Sequence, residues 1–162
     1  MEMENYSSIA DHFPAKPDNE GLEGITVNTQ TDHIVVVNEA RPGLLIEIDL
    51  PRGRILHAIL LEETNGFNHA DLSIDKLNFF GLSYDSSRET FWITSDIGQC
   101  LFHYDWTNNC VIQRLDMNRK AEKSSAKVRK SARVAIDPAW QLLYVVSERD
   151  GNFFNYRINS HG

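Results

Sequence analysis

The chain has 162 residues, 41% hydrophobic and 24% charged, with a formal net charge of -7. That length supports a single domain with a real core, and the acidic balance argues against a general binder of nucleic acid or anionic membrane, which needs a basic face. No run approaches the about 18 apolar residues of a membrane span, and the N-terminus Met-Glu-Met-Glu-Asn-Tyr has neither the basic nor the apolar region of an export signal. As written the chain therefore carries no targeting signal and reads as cytoplasmic.

Residues 1–20 form a polar lead-in broken by Pro14 and Pro17, in which Tyr6, Ile9 and Phe13 suggest one short edge strand over residues 5–13. The first organised stretch begins at Gly21 and runs through residues 21–62. Gly24–Val27 reads as a strand, Asn28–Asp32 as a turn of residues that bond their own backbone, and the β-branched run His33–Asn38 as a buried strand. Arg41-Pro-Gly43 turns the chain, Leu44–Asp49 alternates as a strand with one wet face, Pro51-Arg-Gly53 turns it again, and Ile55–Leu61 completes a four-stranded antiparallel meander. Residues 62–77 are a polar connector with room for a helical turn.

The pattern then returns. Strands are expected near Gly81–Tyr84, Thr90–Ser95, Cys100–Asp105 and Cys110–Asp116, within a unit spanning residues 78–117. A basic connector follows over 118–130, carrying Arg119, Lys120, Lys123, Lys127, Arg129 and Lys130 but no aromatic residue to stack a base. A third unit over 130–158 has strands near Val134–Ile136, Leu142–Ser147 and Asn152–Ile158 and no fourth strand. Gly24, Gly81 and Arg133 share one repeat position, 57 and 52 residues apart, and Asn38, Ser95 and Ser147 share another, always 14 residues further on. Only the connectors change length, as in a repeated supersecondary unit.

Four short strands recurring at about 50 residues are the sign of propeller blades. The expected fold is all-β: a partial β-propeller of about three antiparallel blades, the last incomplete, occupying residues 21–162. A blade buries its faces only against neighbours, so the end faces of a three-bladed segment stay open, rich in Val35, Val37, Trp92, Tyr144 and Val146. Three outcomes would answer this: two chains pairing as a homodimer into a six-bladed ring, a longer protein whose N-terminal blades are absent here, or a strand from residues 5–13 closing the third blade. The second is the preferred reading.

Certain stretches carry a resemblance. Asn19-Glu-Gly-Leu-Glu-Gly-Ile-Thr-Val, Val36-Val-Asn-Glu-Ala-Arg-Pro, Phe80-Gly-Leu-Ser-Tyr-Asp and Val145-Val-Ser-Glu-Arg resemble the bacterial SdiA-regulated (YjiK-like) β-propeller family over residues 19–158, and more distantly NHL-repeat and phytase-like propellers. The resemblance implies the C-terminal three blades of such a propeller, an N-terminal anchor or export signal in a full-length form and so a cell-envelope or periplasmic setting, and a bound calcium ion. The family's Glu-Gly pair at each blade start is present here as Glu23-Gly24, altered at Phe80-Gly81 and lost at Ala132-Arg133.

Two sets of equivalent positions are candidates for converging in a propeller's central channel, the second of them acidic throughout. Glu23, Phe80 and Ala132 share one repeat position; Glu39, Asp96 and Glu148 share another, each just after a second strand. Converging carboxylates repel unless a cation joins them, and calcium takes 6–8 oxygen ligands with loose geometry, so Glu23, Glu39, Asp96 and Glu148 are the candidate metal ligands. The alternative is that they are strand-end acids accepting turn hydrogen bonds. No histidine pair has ligand spacing, and no GxSxG, P-loop or GxGxxG occurs. Two functions stand: a non-catalytic binding or scaffold propeller with or without calcium, which is preferred, and a calcium-dependent phytase-like or lactonase-like hydrolase. Cys100 and Cys110 fall on two strands of one hairpin, opposite about Leu115 and Asp105, too far apart in register for a disulfide.

Overall fold

The structure, a computed structural model, describes residues 21–39, 43–117, 131–147 and 151–158. Three antiparallel sheets follow one another along the chain. The first has β1 (Leu22–Asn28), β2 (His33–Asn38), β3 (Leu44–Asp49) and β4 (Arg54–Leu60) in that order. The second has β5 (Phe79–Asp85), β6 (Thr90–Ser95), β7 (Cys100–Asp105) and β8 (Cys110–Asp116), and the third has β9 (Ser131–Asp137), β10 (Leu142–Ser147) and β11 (Phe153–Arg157). Residues 5–13 and the basic connector 118–130 lie outside the described residues.

The hairpins share one local solution. Asn28, Asp85, Asp105 and Asp137 each end a strand, and each side-chain Oδ1 accepts a backbone N–H two or three residues on, from Gln30, Ser87, Asn108 and Trp140. Each of these turns closes on a left-handed residue: Asp32, Glu89, Asn109 and Gln141 have φ between 50° and 59°. Four-residue loops built on a type I turn followed by a left-handed residue fit the twist of the flanking strands, so short polar residues at the strand ends are turn chemistry first.

The connector between the first two sheets is tied down rather than loose. It holds two 3-10 turns, Glu63–Asn65 and Ile74–Lys76. Asn65 Nδ2 donates to Leu60 O at 2.7 Å, and the buried Phe67 ring packs 5.1–5.5 Å from Phe79, Phe102 and Tyr104.

The blades meet through their first strands: β1 lies on β5, β5 on β9, with β2 on β5 and β6 on β9. Two devices set the approach. A Cβ on Gly24 would stand 2.7 Å from Val37 Cγ1 and 2.8 Å from the Phe80 carbonyl oxygen; a Cβ on Gly81 would stand 2.7 Å from Thr94 Oγ1 and 3.1 Å from Val134 N. Two residues beyond each glycine a hydroxyl accepts an amide of the next blade: Tyr84 N donates to Thr26 Oγ1 and Ile136 N to Ser83 Oγ, both at 3.1 Å. The same two positions in the third blade hold Arg133 and Ala135, and among the described residues no further strand lies against them.

Val35 and Val37 are buried at the first junction together with Leu82 and Tyr84, and Trp92 at the second with Val134. These three side chains therefore do not belong to open end faces, as their alternation suggested; of the five expected there, only Tyr144 and Val146 are not buried. The opposite face of the first blade buries Val36, Ile46 and Ile48. The cysteine register also needs correcting by one residue. Asp105 pairs with Cys110, but a bulge at Ile112 puts Cys100 opposite Asp116; both thiols are free.

Gly81→Ala is expected to lower the unfolding free energy by about 1–3 kcal/mol, the usual cost of overpacking, because the atoms its methyl would meet include the backbone of β9. Gly21→Ala, with nothing within 4 Å of its Cβ position, is the silent control. Urea unfolding of the two variants against the parent checks this.

Candidate functional site

The first-strand positions named from sequence turn out to share a backbone feature. Leu22 pairs with Asn38 and Gly24 with Val37, leaving Glu23 as the extra residue of a bulge. The register of β5 slips in the same place, between Phe79 and Leu82, and in β9 Ala132 is the extra residue between Ser131 and Arg133. A bulge re-aims a side chain and ends regular pairing. Glu23, half-buried, is thus set apart from the β1–β2 ladder.

Two members of the second constellation, Glu39 and Asp96, meet at Asn78 beside the first blade junction. Glu39 follows β2; its N–H donates to Gly21 O at 3.2 Å, and its Oε1 accepts from Asn78 Nδ2 at 2.9 Å. Asp96 follows β6, and its N–H donates to Asn78 O at 3.3 Å. Asn78, the residue before β5, therefore holds both strand ends. Glu148 lies outside the described residues. Among the described residues, no three His, Cys, Asp or Glu side chains lie together in a way that could hold a metal ion. Glu39 and Asp96 are brought to one asparagine, while Glu23 sits on its bulge.

Other polar groups, not singled out by the sequence reading, are placed more elaborately. Buried Glu47 accepts from His33 Nδ1 at 2.8 Å, with His57 Nε2 3.8 Å from its other oxygen. Buried Asp49 pairs with Arg52 at 2.8 Å and Arg54 at 3.5 Å, and the hydrogen bond from Arg52 holds its carboxyl below the usual range. Asp85, fully buried, takes Ser87 and Arg88. His103 Nε2 bonds Thr90 Oγ1 at 2.7 Å while its ring stacks on Trp92, 4.1 Å between centroids. Burial pushes the His103 ring down from 6.5 to about 4. Cross-strand register was the available signal for His103, since Trp92 lies directly opposite; nothing in the sequence marked Glu47.

These clusters are closed structural units, with acids already bonded. One cleft, of about 250 Å³, lies beside Gly43, Leu60, Leu61 and Leu77 with Glu62 and Asp75. It falls short of the roughly 300–1,000 Å³ usual for ligand pockets.

Two measurements follow from the buried groups. His103 stays neutral in the fold below the pH at which it charges in the unfolded chain, so its contribution is fully present above about pH 6.5 and is lost as pH falls toward 4. The slope approaches about 1.4 kcal/mol per pH unit. Proton-detected titration should place the ring midpoint near 4, and His103→Asn should flatten stability between pH 6.5 and 4. Burial likewise pushes the Cys100 thiol up to about 12, so a thiol reagent should label the half-buried Cys110 in the native protein and reach Cys100 only on unfolding.

The fold is shared with solved propellers. A chain of the nidogen–laminin complex superposes with a TM-score of 0.55 at 12% identity, over 84% of this chain and 43% of that one. The hydrazine synthase of Kuenenia stuttgartiensis gives 0.54 at 10% identity, over 83% and 31%. The WD40 repeats of RRP9 give 0.51 at 11% identity, over 86% and 39%. The chain thus spans less than half the length of each. No curated protein matches the sequence. The sequence profile of the SdiA-regulated family matches residues 1–158, and the chain belongs to that family.

Proposed function

We propose that this chain is a non-catalytic propeller segment serving as a binding scaffold. The observation that carries the proposal is the use made of the strand-end acids. The Asn78 side chain satisfies Glu39, and its carbonyl takes the Asp96 amide, so the pair works as a clasp between the first two blades. Asp49, Asp85 and Glu47 are likewise bonded by their own neighbours. The Glu39–Asn78 bond joins two blades while the others hold turns and strand pairs within one, and a scaffold so held presents its loops and faces to partners.

The calcium reading of Glu23, Glu39, Asp96 and Glu148 rests on their acidity and repeat positions alone. The clasp supports the structural reading of Glu39, whose carboxylate Asn78 satisfies, and that reading is adopted. Adding calcium to chelator-treated protein should leave Tm unchanged, whereas Asn78→Ala should cost about 1.5 kcal/mol, as for other hydrogen bonds to a charged group. A calcium-dependent rise in Tm that Glu39→Gln removes would reinstate the metal. Calcium-dependent hydrolysis of a phosphomonoester or lactone, abolished by Glu23→Ala, would overturn the non-catalytic reading altogether.

A further inference from the structure

Each formed junction has a presenting half and a receiving half. The earlier blade presents Gly24, Thr26, Val35 and Val37 at the first junction, and Gly81, Ser83, Trp92 and Thr94 at the second. The later blade receives with Leu82 and Tyr84, then with Val134 and Ile136. Constant spacing within the repeat assigns the matching residues elsewhere. Ile25 and Val27 occupy the receiving positions of the first blade; Arg133, Ala135, Tyr144 and Val146 occupy the presenting positions of the third.

Exposure separates these from their counterparts. Leu82 and Val134 are 5% and 8% exposed, but Ile25 is 66% and Val27 48%. Val37 is 0% exposed and Val146 43%. Phe153, opposite Val146 on β11, is 64% exposed and stacks on Tyr144 at 5.4 Å. Among the described residues the one chain therefore carries both halves of a third junction, apolar and exposed, at opposite ends of its row of blades.

The polar part of that junction is changed in a complementary way. Where the formed junctions present a glycine, the third blade presents Arg133. Transferring the neighbours of Gly24 and Gly81 by repeat position sets Arg133 against Glu23, Gly24 and Ile25 of the receiving strand. The receiving residue level with it has no Cβ, and the residue before that carries a carboxylate on a bulge. Neither formed junction joins opposite charges there, since Glu23 is matched by Phe80 and Ala132. Arg157, exposed on the same face as Phe153, adds a second positive charge.

We propose that two copies of this chain join head to tail, the outer face of β9–β11 of each seated on β1 of the other, with Arg133 of one copy paired to Glu23 of its partner. The contact occurs twice about a two-fold axis and closes a six-bladed ring. The Arg133–Glu23 pair takes the place of the glycine and hydroxyl device, which Ala135 does not supply.

Light scattering on the full 162-residue chain should give twice 18.5 kDa. Arg133→Glu and Glu23→Arg should each weaken dimerisation by about tenfold or more, and the double charge swap should restore it. Circular dichroism of all three variants separates loss of pairing from loss of fold, and recovery in the swap variant is a result that misfolding cannot give. A monomer of 18.5 kDa in the parent protein overturns the proposal. So does a dimer that ignores both reversals, or an open ladder of higher oligomers.

Discussion

The spacing between the first strands of neighbouring blades governs everything else in this molecule. Backbone must come within side-chain distance of backbone, which only Gly24 and Gly81 allow. At that distance a short hydroxyl, Thr26 or Ser83, reaches the amide across the gap. Once those strands are set, the apolar residues of the second strands have no choice of neighbour, and Val35, Val37 and Trp92 are sealed in. The hydrophobic burial supplies most of the free energy, but the glycine and hydroxyl decide the geometry in which it is collected.

The polar residues serve the same architecture at another scale. Asp85, Asp105 and Asp137 organise the turns that follow their strands, Glu39 and Asp96 share Asn78, and His103 is held neutral between Thr90 and Trp92. A buried ionisable group with a bonded partner stabilises one arrangement strongly, because an alternative leaves it unsatisfied. Such residues look catalytic in a sequence. Here their positions at strand ends and junctions explain them without a substrate, which is why the scaffold reading of the family segment is preferred.

Much of this was legible beforehand, for definable reasons. β2, β3, β6, β7, β8 and β10 run between the residues expected, since β-branched runs bounded by Asn, Asp, Ser and Gly leave little freedom. The repeat position of Gly24 and Gly81 was visible as well, though its purpose was not: a glycine's role depends on what comes close to it, and sequence does not show what does. The same gap misplaced Val35, Val37 and Trp92, because alternation tells which residues share a face but not which neighbour covers it. Ile112 shifted the Cys100 pairing because a bulge leaves no compositional mark. Phe67 was passed over as part of a polar connector, yet it is fully buried among three aromatic rings. Glu39 and Asp96 were named from the sequence, but the Asn78 that engages both was not, since an amide shows no charge pattern.

The hydroxyl bonds between blades also set the order in which the molecule can assemble. Within a blade, hairpins join residues a few positions apart and close in about 1–10 μs. The two inter-blade bonds span 58 and 53 residues, and closing loops of that length costs entropy before any junction contact returns it. Sheet formation and sheet docking are thus separated in time by topology alone. During the interval each sheet shows both apolar faces to water, and the rate of docking, rather than the strength of any one sheet, determines how long that exposure lasts.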